Sequence, residues 1–206
     1  RLDRDTSGLT IVAKHAVSAA ILGQMVRAKA EQGLKAPGIH RTYLAFVEGK
    51  VVPVSGVIDA PIARKEDRCL RRVVDFKRGD RAVTHYRVLT GWQTGNAQKF
   101  RSLVKLQLET GRTHQIRVHM AHITHPLVGD PVYGGRPRPP KGASEAFIST
   151  LRKFDRQALH ATMLRLYHPI SGIEMEWHAP IPQDMVELIE VMRADFEEHK
   201  DEVDWL

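Results

Sequence analysis

The sequence predicts an α+β fold built on a mostly antiparallel sheet. Three observations carry this. Short segments rich in β-branched residues recur along the chain, most clearly at 42–47, 82–89, 102–108 and 159–167. Two long amphipathic stretches, 15–32 and 185–198, carry apolar residues at helical spacing instead. Turn-forming Gly and Pro residues separate these segments, so the tally is many short strands and about three helices.

Residues 9–13 (LTIVA), after a Thr-Ser-Gly turn, are expected as the first strand. The 15–32 helix follows from Ala19, Leu22, Val26 and Ala30, and Gly33 with the 35–38 loop ends it. Residues 42–47 (TYLAFV) form a strand closed by Gly49. Residues 51–63 alternate loosely and contain Pro53 and Pro61, which suits edge or hairpin strands. Residues 64–81 read as an exposed basic arm, eight bases against four acids, with a Gly79-Asp80 turn. Strands at 82–89 and 102–108 precede a short helix over 114–123 and a turn-rich stretch at 126–135. An irregular basic loop (RPRPPK, 136–141) leads to a short helix over 145–153. Residues 159–167 and 173–177 form a hairpin around Pro169 and Gly172. The last helix uses Met185, Leu188, Ile189, Met192 and Phe196.

Composition narrows the partner more than the chemistry. The chain has 206 residues, 42% hydrophobic and 27% charged, which suits one good-sized soluble core. No apolar run approaches the roughly 20 residues of a membrane span. The opening Arg1-Leu2-Asp3-Arg4-Asp5 has no apolar signal region, so a cytoplasmic setting without a membrane is expected. The one cysteine, Cys69, supports neither an internal disulfide nor a thiolate zinc cluster. Net charge is +7, unevenly spread. Residues 183–206 hold nine acids and two bases, so residues 1–182 carry +14. A body this basic suits a polyanion such as nucleic acid, or else a solvated basic surface.

Three segments hold groups able to do chemistry. Asp3 stands before Thr6-Ser7-Gly8, where an aspartate also serves as a simple turn cap. Tyr43 lies on a predicted strand, where a tyrosine is ordinarily a sheet-face residue. Residues 108–120 end a strand in Thr110-Gly111 and then crowd Arg112, His114, Gln115, Arg117 and His119 together. Such a density of donors at a strand-to-helix junction suits an anion or RNA. His114, His119, His122 and His125 invite a metal. Their steps of five, three and three lack the i, i+4 pair of a helical zinc site, so no metal is expected.

In this order, RLDRDTSG (1–8), RTYLAFVEG (41–49) and LETGRTHQIRVHMAHITHPLVGDPVYGG (108–135) resemble the three motifs of the RluA-type RNA pseudouridine synthases. The resemblance spans essentially the whole chain, with 31–100 the weaker part. It implies an α+β catalytic domain with a central mixed, mostly antiparallel sheet flanked by helices. It implies no cofactor and a monomer acting on RNA. The late segments stand nearest to members acting on a hairpin loop of large-subunit ribosomal RNA. It reads residues 1–206 as one catalytic domain, N-terminally truncated, without an S4-like RNA-binding domain or the first strands.

By the resemblance, Asp3 is the nucleophile. A free aspartate, with a pKa near about 3.9, needs no activating base at neutral pH. Arg117 is its basic partner, keeping it charged and aimed. Tyr43 stacks on the flipped uracil, and Arg1 fills the gap that the base leaves. Arg112, His114 and Gln115 hold the site or bind phosphate. Arg64, Arg68, Arg71, Arg72, Lys77 and Arg78 grip the RNA backbone. Two rival readings are a catalytically silent RNA-binding module and a base-flipping glycosylase.

Overall fold

The structure, a computed structural model, describes residues 2–35, 37–65, 71–95, 99–135 and 138–200. Its elements run β1 (Ser7–Gly8), α1 (Ala16–Gln32), β2 (His40–Glu48), β3 (Ser55–Asp59), β4 (Ile62–Arg64), β5 (Arg72–Val74), β6 (Val83–Thr94), β7 (Lys99–Leu108), α2 (Gln115–His122), α3 (Glu145–Lys153), β8 (Leu159–Tyr167), β9 (Glu174–His178) and α4 (Gln183–His199). Seven strands make one sheet in the order β1-β8-β2-β7-β6-β3, and β9 also pairs with β8. Only the β1–β8 pairing is parallel, so the sheet is mixed and mostly antiparallel as expected. A separate hairpin of β4 and β5 pairs Arg64 with Arg72 of the basic arm.

Alternation along β2 splits the core in two. Ala45 and Val47 face one side with Val104, Leu106 and the α2 residues Ile116 and Met120. Phe46 faces the other, against Phe147 and Leu151 of α3 and Met185, Leu188 and Met192 of α4. The acidic C-terminal helix therefore packs on the body, as its apolar periodicity predicts. Leu22, Met25 and Val26 seat α1 on Ile39, Leu164 and Leu166.

One expected strand is a correction. Residues 9–13 form no strand; β1 is only Ser7–Gly8, with Leu9 N–H donating to the Ala161 carbonyl at 3.0 Å. The cause is competition for one edge. β1 pairs with His160 and Ala161 of β8, and from Met163 onward β9 occupies that edge.

A buried polar chain fixes α2 to the sheet. Thr110 Oγ1 donates to Gln115 Oε1 at 2.7 Å. Gln115 Nε2 donates to the Val83 carbonyl and to Thr84 Oγ1, each at 3.0 Å. His119 takes the next links, its Nδ1 2.9 Å from Thr84 Oγ1 and its Nε2 2.8 Å from the Ala60 carbonyl. A carbonyl only accepts, so Nε2 carries the proton and Nδ1 accepts from Thr84. Burial lowers the His119 pKa to about 4, which keeps that tautomer neutral.

Two tests follow. A histidine depressed in the fold stabilises above its unfolded pKa of about 6.5, and that stability is lost as pH falls toward about 4. Urea unfolding at pH 7.5 and pH 4.5 should differ by roughly 2–3 kcal/mol more in the native chain than in His119→Gln. Equal differences would assign the acid sensitivity elsewhere. At Gly8, φ is +103°, and a Cβ would collide with the Ala161 carbonyl oxygen and sit 2.7 Å from Ala161 N. Gly8→Ala should cost β1 about 1–3 kcal/mol locally. The Leu9 amide should then exchange at least ~10-fold faster while the core amides stay protected. Unchanged Leu9 protection would mean the backbone absorbs the methyl.

Candidate active site

Asp3 lies in a turn closed by Thr6 N–H donating to the Asp3 carbonyl at 3.3 Å. Its neighbour Asp5 takes the left-handed φ of 67°, a conformation aspartate tolerates. Two residues hold this turn against β8. Gln157, 2% exposed, donates from Nε2 to the Arg4 carbonyl at 2.6 Å and to Thr6 Oγ1 at 3.0 Å. Arg156 Nη1 donates to the Asp5 carbonyl at 3.3 Å, while its Nε and Nη2 grip Asp184 at 2.6 and 2.8 Å. β1 then runs along His160 and Ala161, with Ser7 Oγ 3.0 Å from His160 Nδ1.

Tyr43 reaches the same place from β2, where it pairs with Leu106 on one side and Ala161 on the other. Asp3 and Tyr43 both line a cleft of about 220 Å³, together with Arg41, Gly111, Arg112 and Thr113. That volume suits one ring system rather than a drug-sized ligand.

Arg117 approaches from α2, only 4% exposed. Its Nη1 is 3.7 Å from Asp3 Oδ2. Its other edge makes a fork with Asp130: Nε to Oδ2 at 2.7 Å and Nη2 to Oδ1 at 2.9 Å. Asp130 is fully buried, and its Oδ1 also accepts from Val132 N at 2.9 Å and Tyr133 N at 3.1 Å. Burial pulls the Arg117 pKa down, but the bonds and charge of Asp130, with Asp3 adding, raise it overall. Burial alone pushes Asp130 up; the Arg117 hydrogen bonds and charge bring it below the usual carboxylate range. Both partners are held ionised.

Tyr133 ties this pair to the arm. Its ring lies 5.1 Å from the Arg117 guanidinium and 5.4 Å from that of Arg71. Its hydroxyl accepts from Arg72 N at 2.9 Å and meets His114 Nδ1 at 2.9 Å. His114 caps α2 with a left-handed φ of 57°. Burial first, then the neighbouring Arg117, lower its pKa.

The remaining sequence-derived residues divide. Gln115 is 3% exposed and, besides its links to Thr110, Val83 and Thr84, accepts from Arg112 N at 3.0 Å. Of the two roles open to it, holding the site fits, because its amide is already engaged inside the protein. Arg112 donates from Nε to the Arg81 carbonyl at 3.0 Å and lies 3.7 Å from Asp80. On the arm, Arg64 and Lys77 are exposed, and Arg78 bonds Asp75 at 3.1 Å. Arg71 is more than a solvated charge, its guanidinium lying over the Tyr133 ring, whereas Arg72 meets the Tyr133 hydroxyl through its backbone N–H. Arg1 and Arg68 lie outside the described residues. The histidines disperse: His119 is in the core, His125 bonds the Glu48 carbonyl at 2.8 Å, and the His122 ring is 6.4 Å from Phe76. Among the described residues no group of three His, Cys, Asp or Glu side chains is arranged to hold a metal.

Sequence reading missed Asp130, Tyr133, Arg156 and Gln157. Asp130 had a signal, an aspartate before Pro131 inside a turn, where its oxygens meet the following amides. The other three act through distant partners and leave no local pattern.

A family profile described as RNA pseudouridylate synthase matches residues 1–122. Ribosomal large subunit pseudouridine synthase D of Escherichia coli (strain K12) is 63% identical over 206 residues, covering 100% of this chain and 58% of that protein. Its namesake from Salmonella typhimurium (strain LT2) is 58% identical and that from Yersinia pestis 52%, with the same coverages. The chain thus spans 58% of the length of these relatives. Among solved structures, Human RNA Pseudouridylate Synthase Domain Containing 4 superposes with a TM-score of 0.67 at 26% identity, over 94% of this chain and 74% of that one. With a family profile matched over residues 1–122 and a relative 63% identical along the whole of this chain, the chain belongs to the RNA pseudouridylate synthase family.

Proposed function

We propose that this chain isomerises uridine to pseudouridine in RNA, with Asp3 as the nucleophile. The observation that carries the reading is the 3.7 Å approach of Arg117 to Asp3 at a cleft that Tyr43 also lines. The reaction breaks the N1–C1′ bond of one nucleotide, turns the uracil, and joins C5 to C1′. The hydrogen displaced from C5 leaves as a proton and N1 gains one, so nothing is consumed. Such a rearrangement needs a charged carboxylate, a face to hold the loose base, and exclusion of water. Asp3 supplies the first. Tyr43 stacks on the uracil and borders the proton that must leave C5. Arg117 aims Asp3, while Asp130 aims Arg117.

The substrate class is large-subunit ribosomal RNA, in a hairpin loop. The names of the relatives at 63% and 58% identity support that assignment, as does the +14 balance of residues 1–182. Arg64, Arg71, Arg72, Lys77 and Arg78, with Arg68 outside the described residues, serve the RNA backbone, and Arg1, also outside them, fills the gap left by the flipped uracil. The chain acts as a monomer.

Tritium release from C5-labelled uridine in such an RNA tests the chemistry. Asp3→Asn should release none and still bind RNA, and Arg117→Ala should be severely impaired. Undiminished release by Asp3→Asn would end the nucleophile assignment. An abasic product in place of a mass-neutral one would mean a glycosylase. Asp130→Asn leaves Arg117 without its charged buried partner and should cost about 3–5 kcal/mol in urea unfolding. At temperatures where the variant stays folded, its single-turnover rate should still fall. A native rate there would show that Arg117 needs no such hold.

A further inference from the structure

Arg41 is the cleft cation whose hydrogen-bonding capacity the protein leaves unused. Arg117 is engaged by Asp130 and Asp3, and Arg112 by the Arg81 carbonyl and Asp80. Arg41 lines the Asp3 cleft too, two residues before Tyr43 and on the same face of β2. Its Nε is buried with no hydrogen-bond partner. Its Nη2 lies against Gly111 at the lip of the cleft, so close that a Cβ there would be 3.0 Å away.

The surroundings make this cation costlier. Lys29, 2% exposed, donates to the Ile39 carbonyl at 2.8 Å. Burial first, and then the Arg41 charge, lower its pKa to about 8; Arg165 pushes the same way. The nearby acid, Glu109, is already spent on Arg81 at 2.9 Å and His85 at 2.7 Å. Arg165 carries its own buried Nε without a partner. Native proteins seldom leave a buried guanidinium donor unmet, and each such case calls for a missing partner. Arg72 and Arg101 carry such donors too, but only Arg41 of the four lines the Asp3 cleft, and its Nη2 end beside Gly111 is the part an anion there can reach.

We infer that Arg41 is a phosphate-binding residue of the cleft, holding a phosphodiester oxygen beside the nucleotide presented to Asp3. This rests on the RNA substrate proposed above. A guanidinium fork suits a phosphate's paired oxygens, and an anion there offsets Lys29 and Arg165 as well. Arg41 thereby sets the reach of the strand, fixing how far its nucleotide enters.

The test pairs protein and RNA changes, using an RNA that the native chain converts. Neutral methylphosphonates replace single phosphates on either side of the target uridine, and affinity is read for the native chain, Arg41→Gln and Arg41→Lys. One methylphosphonate should weaken the native chain roughly tenfold, as losing one charged hydrogen bond does. Arg41→Gln should lose about as much on normal RNA and no more on that methylphosphonate RNA. Arg41→Lys should keep part of the sensitivity, because it keeps the charge. Thermal unfolding should show both variants folded, since removing an unpaired buried donor costs little. Additive losses at every phosphate position, or unchanged affinity in Arg41→Gln, would overturn the assignment. Failure of the native chain to convert any RNA would instead overturn the proposed function, and the two outcomes are read separately.

Discussion

The fork between Arg117 and Asp130 is the constraint on which the site depends. A guanidinium has two edges. Asp130 takes the Nε–Nη2 edge, which leaves Nη1 as the nitrogen turned to Asp3. Two backbone amides fill the remaining capacity of Asp130, so the pair is buried without orphaned carboxylate oxygens. The direction of Arg117 is thus decided before any substrate arrives. Preorganisation of this kind spares the reorganisation that a loose surface arginine would need at the moment of reaction.

The pair would be of little use if Asp3 wandered. Asp3 precedes a strand of only two residues, too short to hold itself. Its position comes from the side, through Gln157 and Arg156, which reach back across more than 150 residues to backbone carbonyls of the turn. Two distant stretches of the chain are therefore joined by amide and guanidinium bonds instead of by a long ladder.

How much of this was legible depended on whether the cause was local. The helices at 145–153 and 185–198 and the strand at 159–167 were readable because apolar spacing alone determines them. Asp3, Tyr43 and Arg117 were singled out through motif resemblance; Asp3 and Tyr43 line one cleft, and Arg117 reaches Asp3 from α2 without lining it. The 9–13 strand failed because its fate is decided by β9, which is more than 160 residues away and takes the edge first. Gln115 drew notice as a donor beside arginines, whereas its amide is closed within a buried chain from Thr110 to Ala60. Tyr133 was invisible because its meaning lies in what surrounds it, two guanidinium groups and a histidine, gathered from two separate segments.

The pairing of β2 with β8 slips by one residue between Thr42 and Tyr43, where Thr42 opposes Met163 and Tyr43 opposes Ala161. Thr162 is the surplus residue. Side chains on a strand swap faces at every step, so a single extra residue resets which way the rest of β8 looks. Ala161 can thus lie beneath Tyr43 while Leu164 and Leu166 still turn inward beneath α1. Without that threonine Ala161 and Met163 would be consecutive, opposite the consecutive Tyr43 and Thr42, so both halves of β8 would keep their faces and the local bend of the bulge would be lost. The bulge thus lets Ala161 and Leu164, three residues apart, share the face that floors the cleft and seats α1, at a bent point of the sheet.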